Sequence, residues 1–312
     1  MYELAILARG GVLLTVWALA AGWPRGRLAG RLRRDGWQGI CRGAWAVPGK
    51  DVDWRVRATA LQLLRPELVC SHGTAARLHR IELLGGAAVD LVPPLDFTAP
   101  ASSRSTQDSL IRVRATSFLT DGDESVRRGL RVTTPARTVG DLIRSCGSRE
   151  EAVVAADSAL ARRVVGGVRR EALVRYEDLA AELARPRTGG PRARAWLPLT
   201  EAASGSPAES VARLRMRDAD LRPESQPPLW PAGAGRPLRP DFLFREAGLA
   251  VEVEGYAFHG TRRAHERDVA RFNALQSCPE VRRVLRFTAR EVFTAPDRMT
   301  ATIRTALASL SP

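Results

Sequence analysis

Lysine is almost missing: Lys50 is the single lysine among 48 basic residues. The cations are therefore nearly all arginines. That bias matches a GC-rich genome's codon usage and says little about ligands. It does exclude a lysine-activated water from the C-terminal third, which has no lysine. Cysteine is scarce as well. Cys41, Cys70, Cys146 and Cys278 are scattered, and no Cys-x-x-Cys or Cys/His cluster has zinc spacing. A disulfide framework is excluded, and isolated cysteines suit a reducing cytoplasm. Long apolar runs are absent too. The uncharged stretch Gly10–Pro24 is shorter than the ~20 residues a membrane span needs. Ala18-Leu19-Ala20 imitates a signal cleavage site. However, Glu3 is the first charged side chain and Arg9 stands where the apolar region should begin. The run therefore reads as a buried helix of a small cytoplasmic domain, with no membrane partner.

What is present is globular: 312 residues, 45% hydrophobic and 26% charged, enough for two or three domains. The balance of 48 basic against 34 acidic residues, a formal +14, points to a polyanion, usually nucleic acid.

Residues 1–50 carry eight cations and two acids, a net +6. Tyr2–Ala8, Leu14–Ala21 and Arg25–Arg34 read as three helices, followed by two short strands around Gly36–Val47. Leu28 and Leu32 share one face of the third helix, and arginines cover much of the rest. Three helices and a β-ribbon is the order of a winged helix-turn-helix, whose third helix enters the major groove of double-stranded DNA. Arg25, Arg27, Arg31 and Arg34 are the expected DNA contacts; an ordinary solvated basic face gives the same pattern.

Residues 51–200 read as a small α/β domain. Trp54–Leu64 is helical, Leu68–Cys70 is a strand, and Ser71 caps a helix through His79. Val89–Phe97 and Leu110–Phe118 are strands, and helices run from Arg137 to about Leu183. His72 and His79 could share a helix face, but with no third ligand they read as packing or capping residues. Arg185–Pro207, rich in Pro, Gly and Arg, reads as a linker.

Residues 207–312 follow the order α-β-β-α-β-α. Asp241 opens one strand, and Glu252 and Glu254 lie two apart on the next, so both point to one side. Acids on one face of an otherwise apolar strand need a partner. Mg²⁺ or Mn²⁺, bound by Asp241, Glu252 and Glu254, suits such hard oxygen donors. The Asp-x10-Glu-x-Glu spacing is a partial PD-(D/E)xK nuclease pattern in which Glu254 replaces the usual Lys. His259, five residues on, is the candidate proton carrier.

The stretch RPDFLF…LAVEVEGYAFH…RDVARFNALQ…VRRVLRFTAREV resembles the Vsr-like domain of unknown function found in many actinobacteria. That family resembles very-short-patch-repair endonucleases and has the restriction-endonuclease fold. Its pattern runs V-E-x-D-G-x-x-H, D-x-x-R-x-N-x-L, V-L-R-x-T. The resemblance implies Asp241, Glu252, Glu254, His259 and Glu209 as site residues, with Asp268, Arg271, Asn273 and Arg286 matched on the helix and last strand. Two departures stand out: Glu254 where Asp is usual, and Cys278–Val281 in place of Gly-Trp.

The segments GGVLLTVWALAAGWPRGRLAGRLRRDGWQGICRGAWAVPG, VCSHGTAARLH and VTTPARTVGDL resemble AbiEi-type antitoxins and transcriptional regulators, in which a winged helix precedes a small α/β domain. Together these readings imply a multidomain α+β chain: a winged helix (1–50), a small α/β domain (51–200) and a restriction-endonuclease-like mixed sheet flanked by helices (207–312). Three functions follow. One is a metal-dependent DNA endonuclease, with Arg271 and Arg286 on neighbouring phosphates. The second is an antitoxin-like DNA-binding regulator with an inactive nuclease fold. The third is an interaction module for an Arg-rich partner. A toxin or repair protein as partner stays open.

Overall fold

The structure, a computed structural model, describes residues 3–85, 94–107, 110–116, 119–231, 236–254 and 262–310; among side chains 262–268 only that of Glu266 is described. The chain divides into two compact units, Met1–Arg80 with Gly86–Leu142, and Ile81–Gly85 with Ile143–Pro312. Both mix helices with sheets, as expected of an α+β chain. No helix among the described residues is long and apolar enough to cross a membrane.

The first unit opens with a 3-10 turn, Leu4–Leu7, then strand β1 (Val12–Leu14), helices α1 (Thr15–Ala20) and α2 (Arg25–Arg34), and strands β2 (Gln38–Cys41) and β3 (Ala44–Ala46). The strands form an antiparallel sheet in the order β1-β3-β2. Two corrections follow. Within the expected helix Tyr2–Ala8, the described residues form a single tight turn at Leu4–Leu7, and Leu14 ends a strand rather than starting a helix. Burial on both faces is the reason. Val12 and Leu14 pack into one apolar cluster, and Leu13 into another behind α1 and α2. Two α-helices and a three-stranded sheet thus stand in place of the expected three helices and β-ribbon. Helix α2 has the expected bounds, Leu28 and Leu32 are buried, and its arginines are exposed.

There follow α3 (Trp54–Leu64), β4 (Val69–Cys70), α4 (His72–His79), β5 (Leu95–Pro100), β6 (Thr106–Gln107), β7 (Ile111–Thr116), β8 (Glu124–Arg127), β9 (Leu130–Thr133) and α5 (Pro135–Ser145). The sheet order is β6-β7-β5-β4-β9-β8. The start of the expected strand Val89–Phe97 lies outside the described residues. Residues 1–50 and the middle segment share one unit because α3 serves both. Val56 and Ala60 pack with Val12, Leu14, Ala44 and Ala46, whereas Ala58 packs with Leu68, Cys70 and Phe97. Ser71 holds the N-cap position of α4, but its hydroxyl pairs with the His72 ring (2.9 Å) rather than capping a backbone N–H. His79 is buried against the Thr133 carbonyl (2.8 Å).

The second unit contains α6 (Arg149–Leu160), a hairpin of β10 (Arg163–Val165) and β11 (Val168–Arg170), α7 (Tyr176–Ala184), α8 (Gly190–Trp196), α9 (Pro207–Asp218), β12 (Glu224–Ser225), β13 (Phe242–Phe244), β14 (Leu249–Glu254), α10 (Arg262–Gln276), β15 (Arg283–Thr288), α11 (Ala289–Thr294) and α12 (Pro296–Leu310). The hairpin interrupts the helices expected through Leu183. Gly166 and Gly167 take positive φ (56° and 74°), as a two-residue hairpin turn requires.

The expected linker is also corrected. Residues 185–207 hold α8 and a 3-10 turn, with Ala193 and Leu197 buried and Arg192 donating to the Arg144 and Cys146 carbonyls. Gly189 is there for conformation, with φ at 80°, and for space. A Cβ on Gly189 would stand 2.6 Å from the Arg144 carbonyl oxygen. The fully buried Asp157 of α6 accepts from Arg213 of α9 (2.7 Å) and from the Glu201 N–H (2.6 Å). Val154 of α6 lies in the same core as Val211 and Met216 of α9. The segment before residue 207 is thus built into the C-terminal core.

That core surrounds a four-stranded sheet, β12-β13-β14-β15, in which the first three strands are antiparallel and β15 runs parallel to β14. One face (Phe242, Leu249, Val251, Val253, Phe287) packs on α9, α11 and α12; the other (Leu243, Ala250) packs on Leu229, Leu275 and Cys278.

Candidate active site

Three carboxylates meet where α9, β13 and β14 converge. Glu209 sits in the first turn of α9, which Ser206 caps by accepting from the Glu209 N–H (3.1 Å). Its buried carboxylate accepts from the Gly205 N–H (2.7 Å) and from Gln226 Nε2 (2.9 Å). Asp241 immediately precedes β13. The pairing of Phe242 with Val251, continued by one residue, sets Asp241 opposite Glu252 on the same face. Asp241 accepts from the Val253 N–H (2.7 Å) and from Gln226 Nε2 (3.4 Å).

The electrostatics follow from this crowding. Asp241 is 9% exposed, and its pKa is pushed up to about 8 by burial and by the neighbouring charges of Glu209 and Glu252. Burial also raises Glu252, against the opposing pull of Arg271. Arg271 Nη2 donates to both oxygens of Glu252 (3.1 and 3.2 Å) and to the Arg239 carbonyl (2.8 Å). Glu254 is ion-paired with Arg286 of the neighbouring strand, whose guanidinium lies 5.2 Å from the Phe272 ring centre.

Among the described residues no three His, Cys, Asp or Glu side chains form a ready cation site. Both oxygens of Glu252 face Arg271, and Glu209 is held by Gly205 and Gln226. As a donor set, Asp241, Glu252 and Glu209 fit Mg²⁺ or Mn²⁺. Two or three close carboxylates, one retaining its proton near neutrality, are what a divalent cation stabilises by replacing that proton.

No family model matches the chain, and no curated protein is similar to it. The reading of the site therefore stands on its geometry.

The other expected residues are distributed as follows. His259 lies outside the described residues. Asp268 lies on α10, and Asn273 is exposed on the same helix. Arg25, Arg27, Arg31 and Arg34 are exposed on α2, and Arg31 is bound to Asp35 (2.6 Å). Two residues that sequence reasoning missed belong to the site. Gln226 joins Glu209 to Asp241 from a left-handed backbone (φ 48°), and Arg239 donates to the Gln226 carbonyl (2.8 Å). No motif marks a lone glutamine in a Pro-rich turn. The signal that could have found it is the positive φ, which exists only in three dimensions.

Proposed function

We propose that the chain is a metal-dependent DNA endonuclease of the cytoplasm, positioned on double-stranded DNA by the arginine face of α2. The observation that carries this reading is the cluster of Asp241, Glu252 and Glu209, in which Gln226 bridges Glu209 and Asp241 and burial pushes the Asp241 carboxyl up. Asp241 and Glu252 would hold Mg²⁺ or Mn²⁺, with Glu209 as the third carboxylate. Bound there, a divalent ion supplies charge stabilisation to a phosphodiester undergoing attack. Arg271 and Arg286 exchange their carboxylate partners for phosphate oxygens, a strong charge-assisted pairing. As Arg271 leaves Glu252, both oxygens of that carboxylate become free. Val253 N–H and Gln226 keep Asp241 oriented. With no lysine near, His259 is the residue assigned to move the proton.

The test is nicking of supercoiled plasmid by the full chain with Mn²⁺ or Mg²⁺. Wild type should cut and Asp241→Asn should not. DNA binding without metal-dependent cutting would favour a second reading, an AbiEi-type regulator with an inactive nuclease fold. The pairing of Glu252 and Glu254 with Arg271 and Arg286 supports that alternative, since both acids are already neutralised.

A further inference from the structure

The β10–β11 hairpin takes no part in the acid site, yet its construction is directional. Its register pairs Arg163 with Arg170, Val164 with Arg169 and Val165 with Val168. Side chains alternate faces along a strand. At the root, Arg163 and Arg170 point into the unit. Arg163 is buried and donates to Glu82 (2.8 Å) and to the Ser204 carbonyl (2.7 Å). Arg170 donates to the Ala161 carbonyl (2.9 Å) and to Ser158 Oγ (3.0 Å). Guanidiniums removed from water must be paired, so these contacts fix the angle at which the hairpin leaves the unit.

The opposite face carries Arg162, Val164 and Arg169, all exposed, with Val164 at 65%. Arg162 has an exposed ion pair with Glu171 (2.6 Å), of a kind worth little in water. The tip is Gly166-Gly167, with open space around both. Arg162 also lines a cleft of about 590 Å³ together with Gln226, Pro227, Pro228 and Arg239. Gln226 is the residue that bonds Glu209 and Asp241, so the hairpin, through Arg162, and the acid cluster, through Gln226, meet the wall of this one cleft.

A two-stranded antiparallel ribbon is one of the shapes the DNA major groove admits. Exposed valines suit thymine methyl groups, arginine suits guanine edges and phosphates, and a bare Gly-Gly tip adds no bulk at the groove floor. The outward face adds positive charge through Arg169, beside the Arg162–Glu171 ion pair, in a chain of formal charge +14. We propose that the Arg163–Arg170 hairpin enters the major groove of double-stranded DNA and holds the duplex beside the cleft at Gln226. This inference rests on the nucleic-acid reading of the acid site.

The experiment uses the full chain and a fluorescein-labelled, mixed-sequence duplex without divalent metal. Binding is followed by anisotropy from about 50 to about 200 mM salt. Arg169→Ala should weaken binding severalfold and reduce the salt slope by about 0.9. Val164→Ser should weaken binding with the slope unchanged. Both positions are exposed, and an unaltered melting temperature confirms folding. Wild-type binding with both variants equal to it overturns the ribbon and leaves the nucleic-acid reading intact. An Arg169 effect without a Val164 effect also overturns it, because a phosphate contact needs no ribbon in the groove. A wild-type chain that binds no duplex removes the nucleic-acid reading and the ribbon together.

Discussion

Replacing Asp241 by Asn should make the C-terminal unit more stable, by an amount that grows with pH. Asp241 has a folded-state pKa of about 8, against about 3.9 in an unfolded chain. A raised pKa means that the folded state holds the proton more tightly. The stability it contributes is complete below about pH 4 and is lost as pH rises through 8. Each unit of difference is about 1.4 kcal/mol, so the four-unit gap amounts to roughly 5 kcal/mol of stability lost by the wild type. The residue is 9% exposed, so solvent screening removes little of this. Asparagine has nothing to ionise, and its carbonyl can still accept from the Val253 N–H. Urea unfolding of both proteins at intervals from pH 4 to 8.5 measures the difference for the acid cluster as a whole, since groups remote from Glu209 and Glu252 cancel. The variant should match the wild type within about 1 kcal/mol near pH 4 and exceed it by several kcal/mol at pH 8. Added Mn²⁺ should narrow the gap at pH 8, since a cation bound by the acids stabilises only the wild type. A difference that stays flat with pH, or a wild type more stable than the variant at pH 8, would refute the crowded-acid account.

Arg271→Ala should tighten Mn²⁺ binding to the DNA-free chain at pH 8 by roughly fivefold, the equivalent of about 1 kcal/mol, because both Glu252 oxygens are released; calorimetry reads this, and weaker binding would contradict it. Arg137→Met should cost about 3–5 kcal/mol in urea unfolding at pH 7, since Asp123 (3.2 Å) and Asp141 (2.7 Å) lose their buried counter-charge. Arg27→Ala combined with Arg34→Ala should lower the salt slope of duplex binding by about 1.8 units; an unchanged slope would remove α2 from the DNA interface. Limited proteolysis should leave residues 185–207 uncut at early times, because Ala193 and Leu197 are buried there; an early cut would restore the linker.

Helices α2 and α3 were legible in the sequence because each has a local signal. Leu28 and Leu32 repeat at helical spacing, and the Asp53 side chain caps α3 by accepting from the Arg55 and Val56 N–H groups (both 2.9 Å). The acids on β14 were legible for the same reason: Glu252 and Glu254 alternate with Val251 and Val253, and alternation is a property of the strand alone. What failed was whatever depended on remote partners. Val12–Leu14 is a strand because apolar clusters lie on both its sides. Arg185–Pro207 is ordered because Asp157, in a helix far back in the chain, receives Arg213 and the Glu201 N–H. The composition of those segments contains neither partner.

For the candidate site the same division holds. Charge, the absence of nearby lysine and the two-residue spacing of Glu252 and Glu254 are sequence properties, and they suffice to mark the strand. Only the tertiary structure decides which acids share a site. Sequence spacing grouped Glu254 with Asp241 and Glu252. In the fold, the parallel strand β15 brings Arg286 to Glu254, while the first turn of α9 and the left-handed Gln226 bring Glu209 toward Asp241. The physical reason is that Coulomb and hydrogen-bond energies depend on distance and burial. Both are set by how separate elements pack, and residues 32 positions apart in the chain, as Glu209 and Asp241 are, acquire a mutual charge effect only when the core closes around them.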